Sequence, residues 1–571
     1  VTPDARTPIQ RALHRKQQLF NERSSWMEHW REISRLQAPR AGRYVTTDRN
    51  KGGKKHNDII DNTAIFAART LQAGMMSGMT SPARPWFRLG LADKDMMEAP
   101  AVKHWLHETA QLLRNIFAAS NLYNVLHTMY GELGLFGTAA TVMLPDYQSV
   151  IRMQAMTVGE YMIATDHRGR VNTLCREFQM TAAQMVEQFG YDRCSQAVRS
   201  AWDARNFDSW FDVVHLIEPR ATRNPKMLDA RNMAWSSCYF EPSQSGGDFL
   251  LETGFKRFPA LVPRWDITGN DIYGQSPGME CLGDVKQLQH QQLRKGQGID
   301  YQVNPPLVVP SSYAEKKSSR LPGGIMYADG VGADRTIRTA FEVQLNLQHL
   351  TMDIEDVRGR IRAAYYADLF LMLANDTRSG ITATEVAERH EEKLLMLGPV
   401  LERLHNELLS PLIDNAFDTA AEAGIIPPAP PEMEGMDIEV EYISTLAQAQ
   451  RMVQAQSADR LVTAVGNIAA AKADPAVWDK VDTDQVIDDY ADMLGVPPRW
   501  IVSDDQVAEV RSARAQAAAA QQAQIAAESM TKSAANAARV PTQGGESTMA
   551  TDILNMFQGY NSPSAIEVGT L

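Results

Sequence analysis

Over the first 140 residues, apolar positions recur at steps that suit one face of a helix. From Pro8 to Ala38 the positions Leu13, Phe20, Met27, Trp30, Ile33 and Leu36 predict a long helix that ends at Pro39. A Gly- and Lys-rich loop, residues 50–55, leads to a second helical run from Asp61 through Met76, which Ser81-Pro-Ala-Arg-Pro85 breaks. Two further helices are predicted over Ala101–Ala119 and Leu122–Phe136. From Thr138 to Arg264 the period shifts towards two, the repeat of a half-buried strand. Strands are predicted at Thr141–Leu144, Val150–Met156, Tyr161–Thr165, Val171–Phe178, Val213–Glu218, Ala234–Phe240 and Phe249–Phe255. Asp166-His-Arg-Gly169 reads as a hairpin turn. Short helices at Thr181–Phe189 and Ser195–Trp202 interrupt the series, so the class is α+β, mainly α.

Past Gly278 the pattern changes again. Glu280–Ile299 is a polar helix with a thin apolar line of Leu282, Val285, Leu288 and Leu293, too little to stand without a partner. A Pro- and Gly-rich stretch follows, with two short β-like runs at Leu307–Val309 and Ile325–Tyr327. Then comes a predicted helix over Phe341–Leu373 in which Leu347, Leu350, Ile354, Val357 and Ile361 form a packing seam in 3-4-3-4 spacing. Two long helices flanking a small module predict a stalk with a tip. Asn375, Asp376, Thr377, Arg378, Ser379 and Gly380 interrupt this helix, and Thr382-Ala-Thr-Glu385 restarts it as a capping box. Leu394, Leu397, Leu401, Leu404, Leu408 and Leu412 mark the next helix, with kinks expected at Pro399 and Pro411 and an end at Gly424. Pro427-Pro-Ala-Pro-Pro431 reads as a linker, Asp437–Ile443 as an acidic strand, and 445–494 as helices. The Ala/Gln-rich stretch beyond Val507 is helix-prone but lacks an apolar face, and residues past 540 read as flexible.

Length adds that 571 residues suffice for several domain-sized units with a sizeable core. No apolar run approaches the ~20 residues of a membrane helix, and the polar segment Val1–Leu13 offers no secretory h-region. Four widely spaced cysteines form no CxxC pair and are expected as reduced thiols. The net charge of −12 argues against a protein that wraps nucleic acid tightly. The balance is uneven: residues 1–60 hold thirteen Lys and Arg against six Asp and Glu, leaving 44 against 63 over the rest.

Catalytic signatures fail on spacing. Gly52-Gly-Lys-Lys55 lacks the spacing and hydroxyl of a phosphate loop, and His107-Glu108 and His390-Glu391 lack the second histidine of a zinc helix. Gly330-Val-Gly332 puts Arg335 where a dinucleotide fingerprint needs its third glycine. Asp353, Glu355 and Asp356 could be drawn as a metal cluster, but i and i+2 point to different helix faces. With Arg358, Arg360 and Arg362 following, the preferred reading is a salt-bridged face, and no metal, cofactor or enzymatic activity is expected.

Several segments in order resemble the head-to-tail connector, or portal, proteins of short-tailed bacteriophages. They are Asp61-Asn-Thr63, Thr80-Ser-Pro-Ala-Arg-Pro-Trp86, Ser276-Pro-Gly-Met-Glu-Cys-Leu-Gly-Asp284, Val303-Asn-Pro-Pro306, Pro322-Gly-Gly324, Asp376-Thr-Arg-Ser-Gly-Ile-Thr-Ala-Thr-Glu385 and Leu397-Gly-Pro-Val-Leu-Glu-Arg-Leu404. The resemblance covers residues 8–450. It implies a dodecameric ring around a DNA channel at one capsid vertex, with residues 1–275 and 382–444 as wing, 276–302 and 341–374 as stem, 303–340 as clip, 375–381 as tunnel loop and 445–505 as crown. The Ala/Gln-rich segment 506–571 matches no family pattern. The implied clip docking surface is Val303, Asn304, Pro305, Pro306, Ser311, Tyr313, Lys316, Lys317, Pro322, Gly323 and Gly324. The implied partners are a second copy of the chain, double-stranded DNA in transit, the terminase large subunit, a tail adaptor, and the major capsid and scaffolding proteins, with no membrane. The virion, assembled in the host cytoplasm, is the expected location. An acidic wall would repel phosphate and let duplex slide, with Arg378 making transient contacts. Two other readings are a metal-dependent DNA-processing head protein using Asp353, Glu355 and Asp356, and a non-viral helical scaffold.

Overall fold

The computed structural model describes residues 6–47, 55, 58–91, 99–227, 229–244, 246, 248–309, 319, 321–327, 338–339, 347–375, 397–433, 436–443, 463–468, 481, 485–486, 502 and 504–537. The chain divides into two compact units, residues 1–479 and 480–571.

In the first unit, α1 (Pro8–Gln37) starts where Thr7 and Gln10 exchange side-chain and backbone hydrogen bonds, which satisfies two amides that the first turn would leave orphaned. Its Trp30 and Ile33 are fully buried. Helices α2 (Thr63–Met79), α3 (Pro100–Ala119) and α4 (Leu122–Phe136) follow. Gly137 closes α4 in the left-handed region at φ 75°, and a Cβ there would stand 2.2 Å from the Gly274 carbonyl oxygen, so the position demands glycine twice over.

The β-rich region is two sheets. Strands β2 (Ala140–Asp146) and β3 (Val150–Met156) pair antiparallel, with β9 (Ala260–Leu261) on the other edge of β2. Strands β4 (Tyr161–Thr165), β5 (Val171–Thr181), β6 (Trp210–Pro219), β7 (Trp235–Phe240) and β8 (Leu251–Phe255) form an antiparallel meander in sequence order. The β4–β5 turn is the expected one: the Asp166 carboxylate accepts from the Arg168 and Arg170 amides while Gly169 takes φ 76°. Helices α5 (Ala182–Phe189) and α6 (Gln196–Asp203) sit between β5 and β6 over their own apolar cluster around Met185 and Val198. The four cysteines are free and buried.

Strand β1 (Phe87–Leu91) was not anticipated. It pairs antiparallel with β13 (Ile438–Tyr442), the acidic strand, so that Phe87 faces Tyr442 and Arg88 bonds Glu441 at 2.5 Å. The largest core joins α2, α3 and α4 to helices from the C-terminal half, among them α11 (residues 397–404) with Leu397, Leu401 and Leu404, and includes Leu408 and Leu412. The predicted kink at Pro411 is a π turn at His405–Leu409 leading into α12 (Ser410–Glu422). Proline cannot donate to the carbonyl four residues back and its ring crowds that oxygen; the wider turn accommodates both. Gly424, at φ 69°, lies just past the end of α12 as expected. Residue 394 and the capping box at 382–385 lie outside the described residues, as do most of 445–505.

The second unit contains the helix Asp504–Ala537, α13, whose described side chains are nearly all exposed. Among the described residues no helix is long and apolar enough to cross a membrane.

Candidate functional site

Ser276 starts the stalk. Its hydroxyl donates to the Leu135 carbonyl and accepts from the Met279 amide, which caps the single turn α7 (Pro277–Glu280). From there α8 (Leu282–Val303) runs out for 22 residues, about 33 Å at ~1.5 Å per residue. Helix α9 (Leu347–Ala364) returns beside it. Arg360 reaches Asp284 at 3.4 Å and Gln291 donates to Asp353, so residue numbers rise on one helix as they fall on the other and the pair is antiparallel.

The seam is as thin as its sequence suggests. Val285 and Leu288 meet Ile354, Val357 and Ile361, all buried in the main core. Leu350 is half-buried, and Leu347 begins α9 with its side chain outside the described residues. Leu293, expected on the seam, is 46% exposed, and Val303 and Met352 are 78% and 64% exposed. The α8 side of the seam thus stops at Leu288, and apolar side chains farther out on both helices face solvent in the single chain.

What fixes the pair at its root is a polar node that sequence reasoning missed. The Asp61 carboxylate accepts from the Thr63 amide and hydroxyl at 2.9 and 2.5 Å, from Gln292 at 3.0 Å and from Arg358 at 2.7 and 3.1 Å. The Gln289 side chain accepts from the Ile60 and Asp61 amides and donates to the Asp61 carbonyl. Burial disfavours the Asp61 charge, but the bonds from Thr63 and Arg358 together outweigh it and hold the carboxyl below its ordinary range. The node ties the start of α2 to both stalk helices. The local signal for it was only an Asp two residues before a Thr at a helix start; the Arg358 partner lies 297 positions away.

The predicted acidic cluster is a salt-bridged face. Asp353 is bonded by Gln291, Glu355 by Arg358 at 2.5 Å, and Asp356 by Arg360 at 3.7 Å. Glu355 and Asp356 are thus opposed by arginines of their own chain, and Asp353 by a neutral amide.

The helix predicted as continuous from 341 to 373 is not. Residues 341–346 lie outside the described residues, and α9 stops at Ala364, where Tyr366 turns left-handed at φ 52° before α10 (Ala367–Asn375). Tertiary contacts force the break. The buried Tyr365 hydroxyl donates to Gln37, whose amide reaches the Gly278 carbonyl, and Tyr366 lies against Trp265 with ring centres 6.3 Å apart. The turn swings Phe370 onto α2 at Gly74, where a Cβ would come within 2.2 Å of the ring. Asn375 ends α10; Asp376, Thr377, Arg378, Ser379 and Gly380 lie outside the described residues.

At the far end, β10 (Leu307–Val309) runs parallel to β11 (Ile325–Tyr327) and antiparallel to β12 (Arg338–Thr339). Both β10 and β11 occupy the predicted residues. Asn304, Gly323 and Gly324 close the module: the Gly323 amide donates to the Asn304 carbonyl and the Leu307 amide to the Gly324 carbonyl. Pro306 is buried, Pro305 and Pro322 are half-buried, and Val303 and Leu321 are exposed. Ser311, Tyr313, Lys316 and Lys317 lie outside the described residues.

The family model described as bacteriophage head to tail connecting protein matches residues 9–502. The chain is 54% identical over 550 residues to the "Probable portal protein" of Bordetella phage BPP-1, covering 96% of this chain and 98% of that protein. It is 41% identical over 554 residues to the "Portal protein" of Salmonella phage epsilon15, covering 96% and 99%. A chain from the virion of native gene transfer agent (GTA) particle aligns over 76% of this chain and 95% of that one at TM-score 0.30 and 11% identity, too slight a likeness to bear on the fold. The matched span takes in α1, both sheets, the helix pair with its tip and β13 alike, and the chain belongs to the family of bacteriophage head to tail connecting proteins.

Proposed function

We propose that the chain is a portal subunit, a structural rather than catalytic component of the virion. Copies assemble into a ring, dodecameric by the family resemblance, at one capsid vertex among the major capsid and scaffolding proteins. Genomic DNA enters through it during packaging, when the terminase large subunit docks, and leaves through it once a tail adaptor is attached. The observation that carries this reading is the family match over residues 9–502, with two portal proteins aligned over nearly their whole length.

The stalk supports the finer assignments. A helix pair whose seam ends partway out, with exposed Leu293, Val303 and Met352 beyond it, suits burial against the same helices of neighbouring copies. We assign residues 276–302 and 341–374 to the stem, 303–340 to the clip that meets motor and adaptor, 375–381 to the loop facing DNA, 1–275 and 382–444 to the wing, and 445–505 to the crown. The net charge of −12 per chain favours a wall that duplex slides past, with Arg378 touching phosphate in transit.

Labelling a tagged chain in virions tests the role: label at one vertex per particle is expected, and label at every vertex or none overturns it. R378A is expected to alter packaging, DNA retention or ejection; all three unchanged would remove Arg378 from the channel.

A further inference from the structure

Three segments converge on the turn between β3 and β4, residues 157–160, and one buried carboxylate sits at their meeting point. The strap that follows α1, residues 38–44, docks through two backbone amides: Gly42 donates to the Thr157 hydroxyl oxygen at 2.8 Å and Arg43 to the Val158 carbonyl at 2.8 Å. Helix α1 adds the buried Arg23, which donates to the Gly159 and Tyr161 carbonyls, both at 2.8 Å. The fit is close, since a Cβ on Gly159 would come within 1.7 Å of the Arg43 carbonyl oxygen. Helix α4 adds Glu132 beside the strap residue Tyr44, and its carboxylate accepts from the Thr157 hydroxyl at 2.7 Å and the Val158 amide at 3.3 Å.

Glu132 is 6% exposed, and neither of its two hydrogen-bond donors is a cation. The groups around it are Glu160 of the same turn, Tyr161 of β4, and Tyr44 and Arg43 of the strap, with Arg31 stacked over Tyr44 and Arg23 behind the turn. The nearby cation Arg43 is engaged by Glu160 at 3.3 Å. An ionised Glu132 is therefore a buried charge facing a second carboxylate, the arrangement a low-dielectric interior tolerates least. A protonated Glu132 can donate to the Thr157 hydroxyl oxygen, which still accepts from Gly42.

We propose that Glu132 makes the strap a proton-sensitive clasp: docking of residues 38–44 on the 157–160 turn is tight when Glu132 is neutral and loosens when it ionises. Burial, against the opposing bonds from Thr157 and Val158, pushes its carboxyl up to about 7, which sets the upper end of the change at neutrality. An opened clasp returns Glu132 to water and to an ordinary value near 4.3. Linkage between those two values makes opening rise roughly 40-fold from pH 5 to pH 7 and only about twofold more by pH 9.

Hydrogen exchange of the full-length protein tests this, read as protection of the amides of residues 41–44 and 157–161 after correction for the intrinsic rate. Protection in the parent is expected to fall about 40-fold between pH 5 and pH 7 and then level off. In E132Q most of that fall is expected to be lost, with a smaller one left by Glu160, which burial also pushes up. T157V removes the hydroxyl that favours the ionised form, and the step is expected to move to higher pH. A flat parent profile, a step that survives undiminished in E132Q, or an unmoved step in T157V overturns the proposal.

Discussion

Arg264 is a buried charge bonded to three separate segments, and removing it has a cost that can be worked from its surroundings. Its side chain is 3% exposed and bonds Glu407 twice, at 2.6 and 3.2 Å, while its backbone amide donates to the same carboxylate at 3.0 Å. Its Nη2 also donates to the Gly169 carbonyl at 2.8 Å, and Nη1 donates to the Ile272 carbonyl at 3.4 Å. Glu407 lies in the π turn before Pro411, so this one side chain joins the β4–β5 hairpin, the segment before α7 and the C-terminal helices. R264M would keep most of the volume and leave Glu407 without its guanidinium, bonded by the backbone amide of residue 264 alone. Breaking a buried pair from one side costs about 3–5 kcal/mol. Glu407 is 21% exposed and recovers some hydration, so the low end applies, about 3 kcal/mol. At ~1.36 kcal/mol per decade that is roughly a 150-fold rise in local opening. Hydrogen exchange over 259–276 and 405–412 reads it directly. E407Q should cost less, because the amide still accepts from Arg264, and R264M/E407Q should fall short of the sum by about 0.5–3 kcal/mol. A rise under about fivefold in R264M, or strict additivity in the double variant, would show that the Arg264–Glu407 pair does not hold these segments together.

Two further outcomes follow from the stalk root. Because the folded-state carboxyl of Asp61 lies below its ordinary 3.8, its stabilisation is fully present above about pH 4 and is lost as pH falls through the lowered value. Thermal midpoints at pH 7 and pH 3 should therefore differ less in D61N than in the parent; an equal difference would mean that the node does not depend on charge. G74A forces a Cβ into the Phe370 ring and should cost about 1–3 kcal/mol by overpacking, with F370L relieving part of it. A neutral G74A would show that α10 is not seated on α2.

Local pattern carried most of the elements. Leu122–Phe136, Val150–Met156, Leu307–Val309 and Ile325–Tyr327 fall on the predicted residues because period, caps and turn residues agree there. The misses share a different cause. β1 is five residues long and acquires strand structure from β13, some 350 positions away, so nothing nearby announces it. The break at Tyr366 interrupts a sequence with uninterrupted helical spacing; Gln37, Gly278 and Trp265 decide it from other elements. Leu293 shows the converse, an apolar residue at the right spacing with no partner in its own chain. Of the candidate site, the stalk and the tip were legible in outline. The Asp61 node that anchors them was not, because its members are single polar residues drawn from three separate helical segments.

Whether the chain works as a ring is read from the native mass of the purified full-length protein, alone and with the matching scaffolding protein. With a subunit of 63.5 kDa, a closed ring of twelve has a mass of about 760 kDa. A discrete species near that mass, with annular particles by electron microscopy, is expected. A monomer or dimer under both conditions would contradict it.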